Sequence, residues 1–164
     1  MKKIGGFFMK TILTLMMIFS LAVGNNAENA HSALMRIEND AGFAAANVEI
    51  VDVGSDNAYL LGLCASDVSV LSSASASFED GNGGVYCFAF ADSSKNAKII
   101  FDKIWKNFEF PACDNAEKAV ILTSGKTVAL FKGDSAKVEA LARIYGKHFG
   151  VGGMKIVKNS SKIK

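Results

Sequence analysis

Proline, histidine and cysteine are scarce in this sequence, and each shortage excludes a class of protein. Pro111 is the only proline and half of the 164 residues are hydrophobic, so a proline-rich linker or a disordered body is not expected. The two histidines, His31 and His148, stand at no metal-ligand spacing from a cysteine or carboxylate. Because zinc needs three or four converging ligands, we predict no metal site, and no other cofactor is indicated.

The three cysteines, Cys64, Cys87 and Cys113, are too scattered for a disulfide framework. They allow one bridge in any of three pairings, and whether any two of them pair stays open. Cys87 lies in an apolar run, where a free cysteine acts as a small hydrophobic residue. Cys113 with His148 is the one thiol–base pair that an enzyme could use. However, Cys113 lies in a polar loop before Asp114, without a helix N-terminus or a flanking base to lower its pKa, so we interpret it as an exposed loop residue.

Motifs that mark common enzymes are incomplete. Ser124-Gly-Lys-Thr127 lacks the earlier glycine of a phosphate loop, since Val120 occupies that place, and a strand pattern follows it. Residues 80–84 alternate Asp80 and Asn82 with glycines but lack further calcium ligands. We interpret the first segment as a hairpin and the second as a turn. No catalytic, cofactor-binding or metal-binding residue is assigned, and the chain is predicted not to be an enzyme.

Basic residues are almost absent from the first part of the body. Residues 25–92 contain Arg36 as the single base against ten acids, whereas residues 93–164 contain fourteen bases and six acids. One interpretation is that the two parts pack together with their charges facing each other. The other is that the basic 93–164 part binds an anionic envelope polymer, a lipid surface or a protein partner. Nucleic acid is not expected, because aromatic and basic residues are not interleaved.

The first 24 residues have the pattern of a signal peptide. Lys2, Lys3 and Lys10 precede an apolar run over residues 11–23, and Gly24 ends it. This run is shorter than the about 20 residues of a membrane span. No cysteine lies near the expected cleavage point after Gly24, so a lipid anchor is not expected. We predict an exported, extracytoplasmic protein that is periplasmic, secreted or wall-associated, whose net charge falls from +2 to −1 when the signal is removed.

The remaining pattern predicts one α+β domain over residues 25–150, followed by a flexible lysine-rich tail over 151–164. Helices are expected over 29–46, from Asp92 or Ser93 to 108, and from Asp134 to 149, each with one apolar face. Strands are expected over 48–53, 74–78 and 85–91, with a hairpin formed by 118–123 and 127–132. Trp105 belongs to the predicted buried stripe of the second helix. These elements predict a two-layer sandwich: one mostly antiparallel sheet with the helices packed on one face.

The segment from Ser73 to Phe149 resembles a known family. It contains Ser-Ala-Ser-Ala-Ser-Phe-Glu79, a lysine-rich helix, a Phe-Pro loop and Ala-Val-Ile-Leu-Thr-Ser-Gly-Lys-Thr-Val-Ala-Leu before a last helix. This order is similar to an exported Firmicutes, clostridial-type family known only as a domain of unknown function. The family is often lipid-anchored, and this chain departs from it in lacking the lipidated cysteine.

The resemblance implies a location in the cell envelope and a role without catalysis. We therefore expect a non-enzymatic binding or interaction module of the cell envelope. The alternatives are a small exported enzyme with an unrecognised site and a passive structural component.

Overall fold

The computed structural model describes residues 28–43, 49–79 and 83–162, and they build one six-stranded sheet with helices. The predicted signal peptide over residues 1–24 lies outside the described residues. The helices are α1 Ala30–Asp40, α2 Ser94–Asn107 and α3 Ser135–Phe149, with 3₁₀ helices η1 Ser55–Leu61, η2 Ala65–Val70 and η3 Ser160–Lys162. The strands are β1 Glu49–Asp52, β2 Leu71–Glu79, β3 Gly84–Ala91, β4 Lys118–Ser124, β5 Thr127–Gly133 and β6 Gly153–Lys158.

The sheet has the order β1-β2-β3-β5-β4-β6, and every neighbouring pair is antiparallel. The predicted α+β class with an antiparallel sheet is therefore confirmed. The predicted hairpin is also confirmed, since Ser124 pairs with Thr127 around a turn in which Gly125 has a φ of 55°. A positive φ of this size favours glycine.

Local sequence signals fix the starts of the helices. The Ser93 side chain accepts a hydrogen bond from the Asn96 amide, and Asp134 accepts from the amides of Ala136 and Lys137. Both are N-caps of the expected kind. No described helix is long and apolar enough to cross a membrane.

The helices cover both faces of the sheet, whereas the sequence predicts one covered face. Along β3, Tyr86 and Phe88 pack with α1 and α3, while Cys87 and Ala89 pack with α2 and η1. Two hydrophobic cores therefore lie on opposite sides of the sheet. Both faces of β3 are apolar because the strand is central and helices cover it on each side. The prediction of two layers with the helices on one face is corrected to helices on both faces.

The connections explain this arrangement. The β3-α2-β4 connection crosses over β5, and the β5-α3-β6 connection crosses over β4 in the same direction along the sheet. Crossovers of this type have one preferred hand. Because β3 and β5 run antiparallel, a shared hand places α2 and α3 on opposite faces. Amphipathic periodicity alone carries no information about which face a helix covers.

The lysine-rich end of the chain is also different from its prediction as a flexible tail over 151–164. Gly153–Lys158 forms β6, which pairs with β4 from Thr123↔Gly153 to Lys118↔Lys158. The strand begins at a tight contact, because a Cβ on Gly153 would lie 3.0 Å from Thr123 Cγ2. After β6, the buried Asn159 side chain donates a 2.9 Å hydrogen bond to the Ala116 carbonyl. Residues 153–159 are therefore an ordered edge of the sheet.

Candidate binding surface

Cys113 and His148, the one thiol–base pair considered from the sequence, are not assembled. His148 lies at the end of α3, where Nε2 is 2.6 Å from Asp40 Oδ2 and Nδ1 is 3.5 Å from Arg36 Nη1. Both ring nitrogens are thus engaged by α1. Cys113 is exposed in the loop between α2 and β4, with a φ of 67°. The two residues form no dyad.

All three cysteines are free thiols in the structure. Cys87 is fully buried, as predicted, and its Sγ donates to the Leu60 carbonyl at 3.3 Å. Burial raises the pKa of the Cys87 thiol to about 12. Cys64 is exposed at the start of η2, where its Sγ lies 3.0 Å from Asp67 Oδ2. These contacts are structural and present no activated nucleophile.

The segment considered for calcium lies partly outside the described residues. Gly83, which is described, has a φ of 70°, as expected for a turn. No cluster of three or more histidine, cysteine or acidic side chains suited to a metal occurs in the described ranges.

Among the described residues, three ion pairs join the acidic and basic parts of the chain. Lys103 of α2 pairs with Asp67, Lys137 of α3 pairs with Glu79, and His148 contacts Asp40. The first interpretation of the charge partition, in which the two parts face each other, therefore accounts for some of the bases. Lys118 and Lys132 pair instead with acids of their own part, Glu139 and Asp114.

A second set of bases forms no ion pair with any described residue. Lysines 95, 98 and 106 are exposed on α2, and Lys155 is exposed on the α2 face of β6, whereas Lys158, three residues later, is exposed on the α1/α3 face. On α2, positions 98 and 105 are seven residues apart and hence share a face, about 10 Å apart along the helix axis. Asp102 is the single acid of α2. Asp102 lies four residues from both Lys98 and Lys106 and so shares their face, but one acid leaves an excess of positive charge on this side of the molecule.

Trp105 lies within this charged region and is not the core residue that the sequence predicts. It is 37% exposed, and Lys155 Nζ lies 5.1 Å from the centre of its ring. The ring stands at the flank of α2 because α2 packs mainly over β4, β5 and β3, so that the side chain reaches the uncovered part of β6. Cation–π contacts of this kind hold a lysine at an aromatic face.

We define the α2–β6 surface as lysines 95, 98, 106 and 155 together with Trp105. Sequence reasoning found the lysines but missed Trp105 and the alignment with Lys155. The missing signal was the position of β6, since only a strand beside β4 brings Lys155 to α2. The helical periodicity could have suggested that Trp105 is partly exposed, if it had been used to find the residues at the edge of the apolar stripe.

A cavity of about 370 Å³ lies on the same face of the sheet, beneath η1. Its walls are mainly apolar and include Tyr59, Leu60, Phe108, Pro111 and Leu130. Lys132 also lines it, but its Nζ is 2.6 Å from Asp114 Oδ2. The volume is within the range of small-molecule sites. Neither a cysteine nor a histidine lines it, and its polar lining side chains besides Lys132 are Tyr59, Asn107 and Glu109.

The most buried acid of the described chain is Glu38, which lies on the other face. It is 3% exposed between α1 and β2, and it accepts a hydrogen bond from the Ser77 hydroxyl. Burial is the main cause that raises the pKa of Glu38 above its usual value. Because Ser77 is itself fully buried, this pair is closed to a substrate and is a structural element.

No family model, curated protein or solved structure matches this chain. The resemblance of residues 73–149 to a Firmicutes family therefore stays a prediction.

Proposed function

We propose that the chain is an exported, non-enzymatic binding module of the cell envelope whose α2–β6 surface binds an anionic polymer. The observation that carries the proposal is Trp105, half-exposed beneath Lys155 and accompanied by lysines without acidic partners among the described residues. Unpaired like charges repel each other and concentrate counter-ions, so a ligand bearing phosphate or carboxylate groups would relieve this repulsion.

The shape of the surface favours a polymer over a membrane. Lys95 and Lys106 are eleven residues apart on α2, with Lys98 between them, which corresponds to about 16 Å of helix. A linear row of charges matches a chain of repeating anionic groups. Insertion into a membrane would instead require a broad apolar stripe, and α2 exposes only Ile99 and Trp105 as large hydrophobic side chains.

The proposal is tested by binding of poly(glycerol phosphate) to the purified protein at increasing salt. Lys98→Glu with Lys106→Glu is expected to weaken binding about tenfold, because exposed charges contribute modestly and are screened by salt. The matched control, Lys126→Glu with Lys147→Glu, makes the same charge change on the β4–β5 turn and α3. It should change the affinity by less than about twofold.

Trp105→Ala provides a second test at the same surface. It removes the ring that holds Lys155 but no charge, so we expect weaker binding that keeps the salt dependence of the native chain, whereas the lysine variant loses part of it. If the control variant Lys126→Glu with Lys147→Glu weakens binding as much as Lys98→Glu with Lys106→Glu does, the binding depends on net charge alone and not on the α2–β6 surface. Binding to phosphatidylglycerol vesicles but not to the polymer would assign the surface to lipid and contradict the proposal.

A further inference from the structure

The two edge strands of the sheet differ in charge, and exposed apolar side chains lie at both edges on the same face. Among the described residues, β1 pairs only with β2, and β6 pairs only with β4. β1 exposes Glu49 and Asp52, and the Asp52 side chain is 85% exposed. β6 exposes Lys155 and Lys158. Free edges offer backbone groups to a further strand unless something covers them.

The backbone hydrogen bonds show which residues point outward at each edge. Asn159 N donates to the Glu117 carbonyl, which continues the β4–β6 ladder. Since hydrogen-bonded positions alternate along an antiparallel pair, the backbone groups of Met154, Ile156 and Lys158 point away from β4. At the other edge, Val53 N donates to the Ala74 carbonyl. The same alternation points the backbone groups of Ile50 and Asp52 outward, although the Asp52 carbonyl also accepts a 3.4 Å bond from Asn57.

Uncovered apolar side chains accompany these edges. Met154 and Ile156 are each 50% exposed, because they lie on the α1/α3 face while α3 packs over β4 and β5. At the opposite edge, Met35 of α1 is 38% exposed. It lies four residues after His31, which contacts Asp52 of β1, so it faces the β1 edge of the same α1/α3 face.

We propose that copies of this chain assemble edge to edge, with β6 of one copy pairing antiparallel with β1 of the next. Six alternating strands give the two edges opposite directions, so a copy related by translation and sheet twist presents β1 antiparallel to β6. In this arrangement Met154 and Ile156 cover Met35 of the neighbour. Because side chains alternate along a strand, Lys155 shares the α2 face of this seam with Glu49, and Lys158 shares the α1/α3 face with Asp52. Opposite charges on neighbouring strands are stabilising.

Charge also excludes the symmetric alternatives. Pairing β6 with β6 would bring Lys155 and Lys158 of two copies onto one short seam, and pairing β1 with β1 would do the same with Glu49 and Asp52. Like charges placed across a strand pair are destabilising. The β6–β1 contact joins two different surfaces, so it leaves a free edge at each end and can grow beyond a dimer.

Sedimentation velocity of the purified protein over a wide concentration range tests the proposal. The average mass should rise past that of a dimer and fall at high salt. Lys155→Glu with Lys158→Glu, and separately Glu49→Lys with Asp52→Lys, should each weaken self-association at least about tenfold. An equimolar mixture of the two variants should restore it, because each acidic β6 edge then meets a basic β1 edge.

Two further variants control this experiment. Ile156→Pro removes an outward backbone donor without breaking a bond to β4, and it should abolish assembly while the circular dichroism spectrum is kept. Lys126→Glu with Lys147→Glu should leave assembly unchanged. A constant monomer mass, a dimer that does not grow, or a mixture that does not regain association would overturn the proposal. Polymer binding tested with the α2 lysine variants leaves both edges intact, so the two proposals fail separately.

Discussion

Each face of the sheet holds a buried or nearly buried carboxylate, but the environments of the two carboxylates shift their pKa values in opposite directions. On the α1/α3 face, Glu38 is enclosed with a serine hydroxyl as its hydrogen-bond donor. On the α2 face, Asp67 lies at the rim, where it accepts hydrogen bonds from the Cys64 thiol and from Lys103. The pKa of Glu38 is raised and that of Asp67 is lowered. Burial decides the first case, whereas hydrogen bonds and a nearby cation decide the second.

The faces also differ in the side chains that fill them. The α1/α3 face contains an aromatic cluster in which the Phe88 ring centre lies 5.0 Å from Phe149 and 6.1 Å from Tyr145. The Tyr145 hydroxyl is 2.6 Å from Thr127 Oγ1, and burial raises the pKa of Tyr145 to about 12. The α2 face is filled mainly by aliphatic residues, alanines and Cys87. Polar groups are thus buried chiefly on the aromatic side.

The largest expected effect concerns this aromatic cluster. Phe88→Ala should lower the free energy of unfolding by about 3–5 kcal/mol, because a fully buried ring leaves a cavity. Phe110→Ala, a change of the same size at a half-buried position near Phe108, should cost less than half as much. Urea unfolding measures both. Equal losses would mean that the aromatic face is no more tightly packed than the loop.

The next effect comes from the donor to Glu38. Ser77→Ala should lower stability at neutral pH by about 1–3 kcal/mol, because it leaves a buried carboxylate without this hydrogen bond. Ser75→Ala is the matched control: Ser75 is equally buried on β2, but it donates to the well-exposed Asp52. The control should cost less. A larger loss for Ser75→Ala would contradict the assignment of Glu38 as the sensitive group.

The pH dependence of Glu38 has a definite sign. Because its pKa is higher in the folded state, the folded state holds the proton more tightly, and stability falls as pH rises from about 4.5 through the raised value. Glu38→Gln should remove this decline, so the stability of the variant relative to the native chain should increase over that range. Unfolding measured across a pH series tests this, and parallel curves for the two proteins would refute it.

The smallest effect, with the opposite sign, is expected at Asp67. Its pKa is lowered first by the Cys64 thiol and then by Lys103, so its stabilising contribution is present above about pH 3.8 and disappears as pH falls through the lowered value. Asp67→Asn should therefore be less stable than the native chain at neutral pH and equal to it in strong acid. We expect a smaller loss than for Ser77→Ala, since Lys103 is exposed and screened. A difference that grows in acid would be contrary to this expectation.

Sequence patterns predict the local parts of this fold well and its long-range parts poorly. Ser93 and Asp134 mark helix starts by chemistry confined to one turn, and the hairpin at Gly125 is equally local. The layering depends on the direction of crossovers between distant strands, which no single helix records. β6 is short and contains two lysines, so its local pattern predicts a flexible tail. Only its pairing with β4, which the sequence of the segment does not reveal, makes it a strand. Trp105 and Lys155 meet only through that pairing, which is why the candidate surface was incomplete at the level of sequence.

The β4–β5 hairpin has a consequence for how the molecule comes apart. Its successive residues alternate between the two cores: Ile121 and Leu130 belong to one, and Leu122 and Phe131 belong to the other. A local opening that separates the hairpin from α2 therefore also disturbs its packing against α3. The two cores are mechanically a single unit. Heat or denaturant should release both in one transition, with the slowest-exchanging backbone amides in this shared hairpin.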